Sequence, residues 1–486
     1  MTESDARLPT GLPGLDAVLG GGLNHPTLAA IVGAPGAGKT IMASQIIFHA
    51  ARQGLQTLVL TAFSEGNDQY ISHLRNLEFF EPTLLGDKIQ LFTLQSQFTA
   101  EDTAPGGTIA HTVRSMKAKV VLIDGFQGVA PLLPPGQSIR TLLAALAVQL
   151  RYLDATLLLT IAGDARDPQL GAELTVTDTI IGLAYTIQGR RHQRLLEVVK
   201  QRGRALLAGL HSYTLDGAGM RVFPRIEVHP QPEARPHAAE RAPFGLPELD
   251  QMLGGGLTSG TTTLLAGAPG VGKTTLGLYW ALTTAQPDAT SLFLTFGEPA
   301  DQLERKAAAF GLELHDALAR GVVRVVRIAA VDLDPDQVAA IVLDELASGA
   351  VRRLVVDDIT VLLHELGERT RDFLSALNNI LYGADITSLY LLEIPAFEGL
   401  RVNLATTPLA VLGDNVLVVQ QYEIGGTLRR LLAVLRMRLS FFDRTVRELI
   451  LDEQGVRVLK PERQVLEALK SDAHMSLDDA GGRTTS

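Results

Sequence analysis

At 486 residues, with 46% hydrophobic and 20% charged side chains, the chain is long enough for about two to four cores and too apolar to be disordered. The absence of cysteine excludes disulfides, cysteine-ligated zinc and thiol chemistry, and no apolar run reaches the roughly 18 residues of a membrane span. A net charge of −10 with 5% aromatic residues argues against a nucleic-acid partner, and an N-terminus without a basic-then-apolar leader points to the cytoplasm.

The first half opens on Gly11-Leu12-Pro13-Gly14-Leu15-Asp16 and Leu19-Gly20-Gly21-Gly22-Leu23. The apolar run Leu28–Val32 predicts a buried strand. It leads into Gly33-Ala34-Pro35-Gly36-Ala37-Gly38-Lys39-Thr40, and Ile41–Arg52 then has helical spacing, stopped by Gly54. Thr57–Thr61 is the next strand, followed by Phe63-Ser64-Glu65, and Val120–Asp124 and Thr156–Thr160 are two more. Basic clusters follow at Arg190–Arg194 and Lys200–Arg204.

The same order then returns. Gly245-Leu246-Pro247-Glu248-Leu249-Asp250 and Leu253–Leu257 repeat the opening at an offset of 234 residues. So does Gly267-Ala268-Pro269-Gly270-Val271-Gly272-Lys273-Thr274. Strands are expected at Leu264-Leu265, Leu292–Thr295, Leu354–Asp357 and Ser388–Leu392. A proline-rich stretch of scattered charge separates the copies. The division is a first domain at 1–226, a linker at 227–242, a second domain at 243–463 and a polar, flexible tail at 464–486. Continuous apolar strands between helices predict an α/β fold with mostly parallel sheets covered on both faces. Ligands then belong at the carboxyl edge of the strands.

Both glycine loops fit the G-x-x-x-x-G-K-[ST] pattern, whose physics is specific. Glycines let successive N–H groups converge on a triphosphate, the lysine reaches its β and γ phosphates, and the hydroxyl ligates Mg²⁺. Lys39 and Lys273 therefore take the phosphates, Thr40 and Thr274 the metal, and Thr275 completes the second loop. Asp124 and Asp357 end buried strands where a second metal-side oxygen is needed. Strand alternation points Asp358 elsewhere. Glu65 and Glu298, each just past the second strand of its half, are candidates to orient or deprotonate an attacking water.

In this order, the repeated lead-in, the two loops and the aspartate-ended strands resemble the KaiC family of double-domain, RecA-like circadian-clock ATPases. The stretch from Thr177-Asp178-Thr179 through Leu196–Gly203 is similar to the end of that family's first domain. Asp414-Asn415-Val416 through Leu435–Arg444 is similar to the end of its second, so the likeness spans about residues 8–460. The resemblance implies two tandem RecA-like P-loop NTPase domains that hold ATP and Mg²⁺. It implies a homohexamer of two stacked rings with ATP between neighbouring protomers, and a KaiB-like or signalling protein as partner. In that arrangement Lys200 and Arg202, and their counterparts Arg436 and Arg438, reach across to the neighbour's γ-phosphate, where they stabilise charge on the transferring group.

The departures matter as much. Where the family carries two adjacent glutamates, this chain has Ser64-Glu65 and Gly297-Glu298, one acid per half. The family's autophosphorylated Ser-Thr pair aligns with Ala410 and Val411, which lack a hydroxyl. Thr406 and Thr407 lie three or four residues away, outside in-line geometry. The expectation is a slow ATP hydrolase without clock-type autophosphorylation at that site, whose nucleotide state controls assembly and partner binding. A RecA-type DNA-handling ATPase and an ATP-binding scaffold with negligible turnover are the alternatives.

Overall fold

The computed structural model describes residues 6–61, 66–98, 106–133, 137–168, 170, 174–188, 191–203, 205–229, 240–283, 285–331, 333–394, 413–463 and 465. Glu65, Arg190, Arg204, Thr406, Thr407, Ala410 and Val411 lie outside them, as do residues 230–239 of the expected linker. The chain divides into two compact units, Met1–His229 and Pro230–Ser486.

Among the described residues of the first unit, β1 (Arg7–Leu8) and β2 (Leu23–Asn24) form a small antiparallel pair. The main sheet comprises β3 (Leu28–Gly33), β4 (Thr57–Thr61), β5 (Ile89–Thr93), β6 (Val120–Asp124), β7 (Thr156–Ala162), β8 (Thr179–Gln188), β9 (Arg191–Gln201), β10 (His211–Asp216) and β11 (Gly219–Phe223). Its order is β11-β10-β9-β8-β3-β7-β6-β4-β5. The strands from β8 to β5 run parallel, and β9 to β11 continue the sheet antiparallel.

The second unit repeats this. Its small pair is β12 (Arg241–Ala242) with β13 (Leu257–Thr258). Its main sheet comprises β14 (Thr262–Gly267), β15 (Thr290–Thr295), β16 (Val323–Arg327), β17 (Val351–Asp357), β18 (Thr387–Glu393), β19 (Asn415–Ile424), β20 (Thr427–Arg436), β21 (Arg447–Asp452) and β22 (Gly455–Leu459). The order β16-β15-β17-β18-β14-β19-β20-β21-β22 matches the first sheet read from its other end. The two units are tandem RecA-like P-loop domains.

Every residue of β3 and of β14 is buried, because helices cover both faces. Alternate residues serve different cores: Ala29 and Ile31 pack with Met42 and Ile46 of the helix Lys39–Arg52, whereas Leu28, Ala30 and Val32 pack with Ile109, Val113 and Leu146 on the opposite face. The repeated lead-in is structural. Pro13 and Pro247 start short helices, and the aspartate three residues on ties down the entering chain: Asp16 accepts from the Thr10 N–H at 2.9 Å, and Asp250 from the Phe244 N–H at 2.6 Å. Among the described residues no helix is long and apolar enough to cross a membrane.

Candidate nucleotide sites

Each phosphate loop joins a central strand to a helix, at the carboxyl edge of its sheet. In the second unit Gly270 (φ 78°) and Gly272 (φ 101°) take left-handed backbone that side-chain-bearing residues resist, and Gly272 is the N-cap of the helix Lys273–Leu282. No side chain caps that helix, so its first N–H groups stay open to an anion. Val271 is buried beneath the loop while Pro269 and Gly270 are exposed at its tip. The Lys273 ammonium donates to the carbonyls of Gly267 at 2.9 Å and Ala268 at 3.0 Å. Burial holds its pKa below the usual lysine value, against the pull of Asp358, Glu393 and Asp357.

Thr274 donates its hydroxyl to Oδ2 of Asp357 at 2.8 Å. Burial first, then the like charges of Asp358 and Glu298, push the Asp357 carboxyl up to about 6, against the Thr274 hydrogen bond and Lys306. A cleft of ≈ 490 Å³ opens here, lined by loop residues with Thr275, Phe310, Arg430 and Leu451, and by the acids Glu298, Asp357, Asp358 and Glu393. The Lys306 ammonium lies 2.5 Å from Oε1 of Glu298. Asp358 departs from expectation. The strand ends at Asp357, so alternation no longer governs Asp358, which caps the helix Ile359–Leu366 by accepting from the Thr360 N–H at 2.9 Å and still borders the cleft.

The first unit has the same frame. Gly36 (φ 79°) and Gly38 (φ 91°) shape the loop, Gly38 caps the helix Lys39–Arg52, and Ala37 is buried beneath it. Gly33, Ala34 and Pro35 lead in, and the Lys39 ammonium donates to the Ala34 carbonyl at 3.0 Å, its pKa lowered by burial. The Thr40 hydroxyl lies 3.0 Å from Oδ1 and 3.1 Å from Oδ2 of Asp124.

The surroundings of the two aspartates differ. Thr160 donates to Asp124 at 2.5 Å, whereas Leu391 occupies the matching register of the second sheet. Ala162 likewise stands where the second unit has Glu393. At this register the second unit carries an acid and the first does not.

The structure adds two arginines that the pattern of the chain did not single out as site residues. Arg194, opposite Tyr185 on β9, donates to the Gly36 carbonyl at 3.1 Å. Arg430 holds the matching register on β20, opposite Gln421, and lines the second cleft. Tyr213 also donates to the loop, at the Ala37 carbonyl, 2.7 Å away. The basic run Arg190–Arg194 was visible, but only the antiparallel pairing of β8 with β9 aims Arg194 at the loop of its own unit.

The four expected trans-acting cations lie elsewhere. Gly33 sits level with Leu183, while Lys200 pairs with Ile180 near the opposite end of β8. Arg436 pairs with Val416, level with Leu264 rather than Gly267. Three residues of strand separate each from its own loop, roughly 10 Å at about 3.3 Å per residue. The Lys200 ammonium and the Arg202 guanidinium both donate to the Thr175 carbonyl, at 2.9 and 3.1 Å, and Arg202 lies 3.6 Å from Asp178. Arg436 donates to the Gly413 carbonyl, and Arg438 lies 3.6 Å from Asp414. None of these contacts reaches the phosphate loop of the same unit.

The family described as "ATPase: KaiC" matches this chain twice, at residues 8–227 and 242–463. The circadian clock oscillator protein KaiC of Thermostichus vulcanus is 24% identical over 465 residues, covering 93% of this chain and 89% of that protein. The circadian clock oscillator protein KaiC 1 of a Synechocystis species is 23% identical, with 92% and 88% covered. The circadian clock protein KaiC3 of the same organism is 24% identical, with 96% and 94% covered. With both halves matched, and with a phosphate loop and a strand-end aspartate in each, the chain belongs to the KaiC ATPase family.

Proposed function

We propose that the chain binds Mg-ATP at both phosphate loops and hydrolyses it slowly at the interfaces of a two-tier homohexamer. The nucleotide state then sets which subunit and partner surfaces are presented. The observation that carries the interface reading is the placement of Lys200, Arg202, Arg436 and Arg438 at the far end of each sheet from their own loop. Cations there serve a γ-phosphate only when a second copy brings its loop to them. Within one copy, Lys39 with Arg194 and Lys273 with Arg430 supply the nearer positive charge.

The donor set fits Mg²⁺. Each site offers one hydroxyl and one carboxylate, Thr40 with Asp124 and Thr274 with Asp357, all oxygen. A small hard cation that keeps its other positions for water and phosphate needs no more. Among the described residues no cluster of three His, Asp or Glu side chains forms a metal cage. When bound, the ion would neutralise and orient the β and γ phosphate oxygens. Thr274 and Asp357 hold its place, Lys273 leaves the loop carbonyls for phosphate oxygens, and the open helix N-terminus receives the remaining charge. Glu298, and Glu65 in the first half, receive the attacking water. A single acid in each half in place of the family's glutamate pair supports slow turnover.

Light scattering with and without Mg-ATP, alongside phosphate release, tests this reading. The expected result is a mass of about six subunits with nucleotide and a low, steady phosphate release. A monomer under every nucleotide condition would remove the four distal cations from the mechanism. Measurable binding with no phosphate release would leave an ATP-dependent scaffold.

A further inference from the structure

Glu298 is held in an unusual way for a group that must receive a water. The helix Ala300–Ala309 presents Lys306 with its ammonium 2.5 Å from Oε1. The second oxygen, Oε2, is buried and accepts no hydrogen bond from any described group. Both residues line the cleft that contains Lys273, Thr274 and Asp357. The carboxylate therefore has one oxygen held by a cation, with a lone pair to spare, and one packed out of reach of solvent. With Oε2 packed away, the carboxylate can swing out of this pose only by breaking the ion pair at Oε1.

We propose that Lys306 is a positioning residue for hydrolysis at the second nucleotide site: it fixes Glu298 through Oε1, whose remaining lone pair is the acceptor for the attacking water. The inference rests on the ATPase reading above. In hydrolysis the water oxygen bonds to the γ-phosphorus. The bond from that phosphorus to the bridging oxygen breaks, its electron pair leaves with ADP, and both of the water's protons end on the inorganic phosphate, which passes one to solvent near neutral pH. Nothing in this balance requires Glu298 to be a strong base. It requires the water lone pair to lie in line, and a carboxylate free to rotate about its side-chain torsions would not enforce that. An ion pair to a helix-borne lysine does. The position matching Lys306 in the first half, on the helix Asn67–Leu74, is His73, so a lysine at this place belongs to the second site alone.

The test uses the full chain carrying Lys39→Ala, which confines turnover to the second loop. Mg-ATP hydrolysis and equilibrium binding of a fluorescent ATP analogue are measured for that parent and for Lys306→Met, Lys306→Gln and Lys306→Arg in the same background. Met and Gln are expected to lower kcat about 10-fold with KM within about twofold, and Arg to restore most of the rate. Lys306 is partly exposed on its helix, and retained analogue binding reports an intact cleft in each variant. A kcat equal to or above the parent's, a fall that Arg does not restore, or a fall matched by an equal rise in KM would each overturn the proposal. A parent that binds the analogue but releases no phosphate overturns the ATPase reading of the second site instead, and the role of Lys306 goes with it.

Discussion

Thr274 and Asp357 are joined by a 2.8 Å hydrogen bond that ties the first turn after the phosphate loop to the end of a neighbouring strand. The residues are 83 apart in sequence, and the bond holds a hydroxyl and a carboxylate side by side as a ready pair of hard ligands. Asp357→Asn keeps the shape and removes the charge. It is expected to lower phosphate release from the second site about 100-fold and to weaken the dependence of ATP binding on Mg²⁺. Calorimetric titration with ATP at several Mg²⁺ concentrations checks this. An unchanged Mg²⁺ dependence would place the metal elsewhere.

Glu393 sets the second cleft apart from the first, where Ala162 holds its place. Four carboxylates there face Lys273, Lys306 and Arg430, so one acid fewer should favour an anionic ligand. Glu393→Ala is expected to tighten nucleotide binding without Mg²⁺ by about 5-fold, an effect of about 1 kcal/mol that fades in 0.5 M salt. Fluorescence titration at two ionic strengths reads it, and equal affinities for both proteins would contradict it.

His211 is buried with both ring nitrogens engaged. Nδ1 accepts the Arg225 N–H at 3.0 Å and Nε2 donates to the Leu207 carbonyl at 2.9 Å, which requires the neutral ring. A second ring proton would face the Arg225 N–H. Burial holds its pKa below the usual histidine value, and does the same for His25 and His229 in this unit. The unfolded chain therefore binds more protons than the folded unit as pH falls through about 6.5, and stability drops in that window.

Asp357 has the opposite sign. Its raised value of about 6 means that the ligand-free second unit takes up a proton on folding, and is relieved rather than stressed as pH falls through that value. Hydrogen exchange at pH 7.5, 6.5 and 5.5 should show protection lost first in β10 and β11. A uniform loss across both units would refute the assignment, and His211→Gln should flatten the first unit's response.

Arg353 reaches from β17 to the end of the helix that begins at the second phosphate loop. It stacks 5.0 Å from the Trp280 ring centroid and donates to the carbonyls of Trp280 and, at 2.6 Å, Thr283. Burial lowers its pKa to about 10, and it remains charged at neutral pH. Arg353→Ala leaves those carbonyls unpaired beside an empty space. It is expected to destabilise the second unit by about 3 kcal/mol, seen as a lower midpoint in urea. A change below about 0.5 kcal/mol would make the contact incidental.

Much of this was legible in the sequence because it is local. The strand–glycine loop–helix units at Gly33–Thr40 and Gly267–Thr274 follow from short-range backbone rules and hydrophobic period. The offset of 234 residues made the duplication plain, and Asp124 and Asp357 were found because each ends an apolar run. These features are written in residues adjacent along the chain. Tertiary structure decided the remainder. The register of β8 with β9 and of β19 with β20 turns Arg194 and Arg430 toward the loops of their own units and keeps Lys200 and Arg436 away from them. The ending of β17 at Asp357 brings Asp358 to the same cleft, and the ten-residue helix Ala300–Ala309 just past Glu298 delivers Lys306 to it. Strand register and helix docking depend on how distant segments share a buried core, and side-chain identity along the chain does not encode that choice position by position.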